Sequence, residues 1–445
     1  MGLIVVSLTV VAYALVSKRL AATPISGPML FMVLGVALGP AGVDVIHGAE
    51  DRATIALLLE VALALVLFTD SLEISSGDWR AKSRLPTRLL VIGMPLTMIL
   101  GWGIAVALFP GIDVWEAALL AICLAPTDAA LGQAVVSSSR VPVAVRQALN
   151  IESGLNDGLA LPFFVLALGA AIQTEGVHGS DVVEAFLRSL VLAAAIGIGV
   201  GWLGARALSV CRERGWVGRR WSQIATLALV LLAFASADAM EGSGFIATWV
   251  AGVAFGRSIR GEMGDVSLLA EDLGALLAEV SFLGFGAVLL GPILGDLSWQ
   301  VLVYAALSLT VIRMLPVAVS FAGAGLARPT VWFAGWFGPR GLASIVFGLL
   351  VAESALPHDS MILQAVFATV AVSVVLHGVT AVWGADRYGR WYERARADGV
   401  ELAEGRDVGD RAGPEVLRSV PVRTFGPCRE SSVGTRSDPD RTGGE

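Results

Sequence analysis

Apolar residues in this chain come in long unbroken runs, not in the alternating or one-sided patterns of a soluble protein. The runs are about 18 to 25 residues long, the length at which a helix crosses roughly 30 Å of hydrocarbon. Bounded by charged residues or by glycine and proline, they fall near 2–17, 27–46, 53–72, 86–108, 115–137, 142–172, 185–209, 222–239, 243–257, 268–292, 298–323, 331–352 and 360–384. The pattern predicts an all-α polytopic membrane protein with about thirteen transmembrane helices. Continuous runs point to helices, because a barrel would show ten-residue segments of alternating polarity. The ninth run is short, and the sixth is long enough to tilt or to extend beyond the bilayer.

Charge sets the orientation. One side of the predicted topology carries Lys18, Arg19, Arg80, Lys82, Arg84, Arg88, Arg140, Arg146, Arg206, Arg212, Arg214, Arg219, Arg220, Arg257, Arg260 and Arg328. The other side holds Arg52 and Arg188 with Asp44, Glu50, Asp113, Glu175, Asp181, Glu241, Asp296 and Asp359. Excess Lys and Arg mark the cytoplasmic face, so the N-terminus is expected outside and the C-terminus in the cytoplasm, in a cell inner membrane. Gly2–Val16 has its positive residues after it, the wrong order for a cleaved signal, and is read as a retained first helix. From 387 to 445 the chain turns polar, with Arg, Asp, Glu, Gly, Ser and Pro and no apolar period, which predicts a disordered cytoplasmic tail.

Composition narrows the function. Only 16% of the residues are charged, well below a soluble protein of this length. A net charge of −7 with no basic, aromatic-interleaved helix argues against nucleic acid as a partner. Cys123, Cys211 and Cys428 lie too far apart for a disulfide framework or a zinc site, and no cofactor motif is present. No nucleophile–base pair or metal cluster suggests an enzyme.

Charged groups at membrane depth are costly, so the few that occur carry information. The fifth run contains Ala125-Pro126-Thr127-Asp128, a mid-span proline followed by two polar residues. That is how an interrupted, cavity-lining helix is written, although a simple kink with Thr127 and Asp128 on freed backbone groups fits the same residues. The sixth run opens with Glu152-Ser153-Gly154-Leu155-Asn156-Asp157-Gly158. Helical spacing turns Ser153 toward both Asn156 and Asp157, making an oxygen-rich patch suited to a hard alkali cation. A polar helix–helix contact is the plainer alternative. The twelfth run repeats the break as Gly338-Pro339-Arg340-Gly341. Paired interrupted helices in the two halves of a membrane protein point to a transport site at an inverted repeat. Arg340 needs a carboxylate, and Glu152 is the best candidate, with Asp128 the alternative.

Together these motifs resemble the sodium/proton exchanger group of the monovalent cation:proton antiporters, over the membrane part to about residue 386. The resemblance implies two crossing interrupted helices, a homodimer and elevator-like alternating access. It divides the chain into 1–85, N-terminal scaffold and dimerisation helices with a third-span contribution to the core, 86–172, the first core repeat, 173–297, linking and scaffold helices, and 298–386, the second core repeat. By position, the resemblance makes Asp157 the carboxylate shared by cation and proton, with Ser153 and the Thr127 backbone as ligands. Asp128 and Asn156 support the site, and Glu152 pairs with Arg340. Asn156-Asp157, in place of two aspartates, is similar to the electroneutral branch. Where relatives carry a third-span glutamate after Leu-Phe, this chain reads Leu67-Phe68-Thr69-Asp70, so Asp70 stands one position late as a possible ligand. The expected activity is exchange of Na⁺, or of Li⁺ or K⁺, for H⁺. The rivals are a K⁺/H⁺ antiporter and a non-transporting membrane sensor on a transporter fold.

Overall fold

The computed structural model describes residues 2–20, 23–46, 48–73, 84–172, 179–259, 266–400 and 402–405. Among these the chain is helical, without strands. The helices are α1 (Gly2–Leu20), α2 (Gly27–Leu38), α3 (Gly48–Glu73), α4 (Arg84–Leu108), α5 (Val114–Cys123), α6 (Gln133–Val136) and α7 (Val143–Ile172). They continue with α8 (Gly179–Glu213), α9 (Arg219–Asp238), α10 (Gly244–Ser258), α11 (Leu268–Ile293), α12 (Trp299–Ser320), α13 (Arg328–Trp336), α14 (Leu342–Glu353) and α15 (Asp359–Ala397). Every predicted apolar run contains helix. Eight of the helices are long and apolar enough to cross a membrane, and α2, α5 and α14 are shorter apolar helices.

Local chemistry sets several boundaries. Asp113 and Glu116 close a capping box at the start of α5, and Ser26 caps α2 with Pro28 just inside it. Pro126 and Pro339 fall between helices, so the fifth and twelfth runs are each broken: α5 and α6 flank one gap, α13 and α14 the other. Other prolines in the middle of runs, Pro95 in α4, Pro162 in α7 and Pro316 in α12, sit inside helix. A proline alone therefore does not break a helix here.

Packing falls into two sets. The helices α2, α3, α8, α9, α10 and α11 pack on one another, with α1 against α2 and α11. The helices α4, α5, α7, α12, α13, α14 and α15 form the second set, which meets the first mainly where α7 and α14 touch α3 and where α7 touches α8 and α10.

The sequence predicts a tail from residue 387, but α15 continues to Ala397. Its buried stripe does not stop at the end of the predicted apolar run: Ala381, Ala385, Tyr388 and Tyr392 recur at helical spacing. Tyr388 stacks on Phe333 with ring centroids 4.2 Å apart. Beyond it, Ala403–Gly405 form a further helical turn in which Glu404 is buried and accepts a hydrogen bond from Thr330. The rest of the tail expectation, residues 406–445, lies outside the described residues.

Candidate functional site

The two breaks face each other. Asp128 N–H donates to the Pro339 carbonyl at 2.8 Å, joining them through backbone. Asp128 Oδ1 accepts from Ala130 N–H at 2.8 Å and Leu131 N–H at 3.3 Å, and Oδ2 accepts from Leu342 N–H at 3.1 Å. Leu342 is the first residue of α14, so the carboxylate of the first break caps a helix of the second, where anions are favoured. In return Arg340 Nη1 donates to the Ala125 and Pro126 carbonyls at 2.7 and 3.0 Å, just past the C-terminus of α5, where cations are favoured.

The opening between Trp336 and Arg340 is bridged by α15. Arg340 N–H donates to Ser373 Oγ at 2.7 Å. Ser373 Oγ lies 3.0 Å from His377 Nδ1, and His377 Nε2 lies 2.9 Å from the Trp336 carbonyl. His377 Nδ1 also lies 2.9 Å from the Ser373 carbonyl, so the ring links Ser373 to Trp336 in either tautomer. Sequence reasoning overlooked this pair. Its signal was Ser373 and His377, four apart in the last apolar run.

The expected Glu152–Arg340 pair does not form. Arg313, on α12, donates to both Glu152 oxygens, Nη1 to Oε1 at 2.5 Å and Nη2 to Oε2 at 2.8 Å, with both side chains 3% exposed. The bidentate fork fits a carboxylate better than any single contact, and Arg340 is taken by the carbonyls beyond α5. The Arg313 guanidinium also lies against Gly338, where a Cβ would overlap it, so the glycine beside Pro339 makes room for the pair.

Asp157 lies on α7, 7% exposed, against the first break. Thr127 Oγ1 and Ser153 Oγ are 2.9 Å apart, and Asn156 Nδ2 donates to Thr127 Oγ1 at 2.7 Å. These bonds turn the remaining oxygens inward: Asp157 Oδ1 and Asn156 Oδ1 are both buried and have no hydrogen-bond donor. Buried oxygen acceptors without donors are an unfavourable arrangement that a proton or an oxygen-seeking cation relieves. Asp70, on α3, packs against Gly154, one turn from Asp157, with its Cγ 3.5 Å from where a Cβ would stand. The structure thus brings Thr127, Ser153, Asn156, Asp157 and Asp70 together. Asp128 is at the same crossing but has its oxygens committed to backbone.

Two interrupted helices crossing beside a buried carboxylate define a class of helical membrane protein built from inverted repeats. Residues 5–385 match the family described as "Sodium/hydrogen exchanger, transmembrane", and the chain belongs to that family. It is 25% identical over 379 residues to the K(+)/H(+) antiporter NhaP of Alkalimonas amylolytica, covering 85% of this chain and 64% of that protein. It is 26% identical over 363 residues to Na(+)/H(+) antiporter 2 of Zygosaccharomyces rouxii, covering 74% and 43%. The chain therefore spans less than two thirds of the length of these relatives. The structure of the sodium proton antiporter MjNhaP1 from Methanocaldococcus jannaschii matches it with a TM-score of 0.72 at 19% identity, over 87% of this chain and 100% of that one, and the fold is shared.

Proposed function

We propose that the chain is a secondary antiporter that exchanges a monovalent cation, Na⁺ first, for H⁺ at Asp157. The observation that carries the reading is the pair of buried oxygens on Asp157 and Asn156 that no donor satisfies, beside the crossing of two broken helices. A bare carboxylate in that position is the costly state, and either a proton or a cation relieves it. The two therefore compete for one group. If only the neutralised site crosses the membrane, each passage carries one cation or one proton, and exchange is one for one without net charge.

In this reading Ser153, Thr127 and Asn156 complete the cation's oxygen shell with Asp157, Asp70 lends negative charge, and Asp128 holds the crossing. The set containing α7, α13 and α14 is the moving core, and α2, α3 and α8 to α11 are the scaffold of a homodimer. The N-terminus faces outside and the C-terminus the cytoplasm of a cell inner membrane. Potassium is the second reading, favoured by the relative named as a K(+)/H(+) antiporter.

Reconstituted vesicles with an internal pH dye test this. Addition of NaCl, LiCl or KCl should drive proton movement, and the ranking of the three salts names the cation. Asp157→Asn should abolish that movement while the protein stays monodisperse. Substantial cation-driven proton movement in Asp157→Asn overturns the assignment, and none in the wild type with any salt overturns the antiporter reading.

A further inference from the structure

The helices α8 and α10 hold a groove between them that exchange at Asp157 does not use. α8 and α10 run parallel, because Gly197 lies on the Ala247 carbonyl and Gly201 on the Ala251 carbonyl, each too close for a Cβ. That register places Arg206 level with Arg257 at the same end of the pair. The groove has a volume of about 530 Å³, and Trp202, Trp249, Val250, Val253, Arg257 and Ser258 line it. Its walls are apolar except at the end where Arg257 and Ser258 stand. Arg206 and Arg257 are exposed, and neither has a carboxylate partner among the described residues. Trp249 forms the floor: its ring covers Gly158 on α7.

The dimensions select an occupant. From Trp249 to Ser258 the helix rises about 14 Å, at about 1.5 Å per residue. That is close to half of the roughly 30 Å hydrocarbon core, so the groove is as deep as one leaflet. An apolar slot one leaflet deep, with two arginines at its headgroup end, complements an acyl chain that bears a negative headgroup. We propose that it binds one anionic phospholipid from the leaflet at the basic ends of α8 and α10. The acyl chain lies along Val253, Val250, Trp202 and Trp249, and the phosphate meets Arg257 and Arg206. The proposal concerns binding alone and stands whether or not exchange at Asp157 does.

Native mass spectrometry of the purified protein, incubated with equal amounts of phosphatidylglycerol and phosphatidylcholine of matched chains, tests it. Two arginines near a headgroup should favour the anionic lipid on the order of 25-fold, about fivefold for each. In the double variant Arg206→Gln/Arg257→Gln, both changes being on exposed side chains, that preference should fall to near unity. Val253→Trp, which fills the slot, should lose retention of the lipid. Equal retention of the two lipids by the wild type overturns the proposal, as does an unchanged preference in the arginine double variant. If Val253→Trp separates a dimer into protomers and keeps its lipid, the groove is a protein interface and the proposal fails.

Discussion

Replacing Arg313 with methionine would leave Glu152 buried at 3% exposure with neither of its two guanidinium bonds. Loss of one partner from a buried pair typically destabilises by about 3–5 kcal/mol, because an uncompensated charge stays behind. The reverse change, Glu152→Leu, should be worse. The Arg313 guanidinium lies against Gly338, two residues before the buried Arg340, so removing the glutamate leaves Arg313 buried and unpaired in a region that already holds another buried cation. Removing both partners together strands neither member of the pair, and Arg340 keeps its bonds to the Ala125 and Pro126 carbonyls. The double variant Glu152→Leu/Arg313→Met should therefore return to within about 1–2 kcal/mol of the wild type, since a buried pair gains little over apolar residues of similar volume. Equilibrium unfolding by SDS titration in mixed micelles measures all four proteins. Additive losses in the double variant would refute the pairing, and so would a Glu152→Leu milder than Arg313→Met.

The same titration tests Gly338→Ala, whose new methyl must displace the Arg313 guanidinium; it should fall short of wild-type stability by an amount comparable to Arg313→Met. Asp128→Ala removes the acceptor for three backbone N–H groups, including the first of α14, and should destabilise by about 2 kcal/mol in that assay. Ser153→Ala deletes one oxygen beside Asp157 while leaving the carboxylate, so the cation concentration for half-maximal exchange in vesicles should rise about fivefold, the equivalent of one hydrogen bond. Glu404→Ala releases Leu402–Gly405 from Thr330, and limited proteolysis should then cut between Ala397 and Gly405 faster than in the wild type.

Much of this was legible in the sequence because the membrane imposes a strong rule. Backbone must be satisfied within helices, so apolar runs and helices coincide, and polar residues inside a run stand out. Thr127, Ser153, Asn156 and Asp157, the polar residues that meet at the first break, could be picked out from two short stretches for that reason. Partner choice was less legible. Glu152 and its guanidinium are 161 positions apart, and nothing in spacing distinguishes Arg313 from Arg340 as that guanidinium. Arg340 looked like the partner because it follows a proline, yet that placement directs it to carbonyls beyond a helix end. The bridge of Ser373 and His377 was missed for a related reason: a single histidine in a long apolar run carries no pattern until the opposite break is placed beside it. The end of α15 was misjudged because a charged composition was read as disorder, while Tyr388 and Tyr392 kept the buried stripe going.

The crossing has a logic that follows from which break serves which. Asp128 belongs to the first break but caps α14 of the second, and Arg340 belongs to the second but sits on the carbonyls that follow α5 of the first. Each helix end carries a partial charge that its own break leaves unanswered. Had each residue capped its own side, either half could settle alone. With the caps exchanged, neither broken helix is satisfied until the other is in place, and the two behave as one unit. Asp157 reads the result, since the Thr127 hydroxyl that orients Ser153 and Asn156 beside it lies between Pro126 and Asp128, within the segment that Arg340 and Pro339 hold. A change at either break should therefore reach the proposed cation site without touching it: Arg340→Gln, which retains two donors but no charge, should alter cation affinity in vesicles more than it alters folding. Unchanged affinity alongside a large loss of stability would show that the crossing supports the fold but does not set the site.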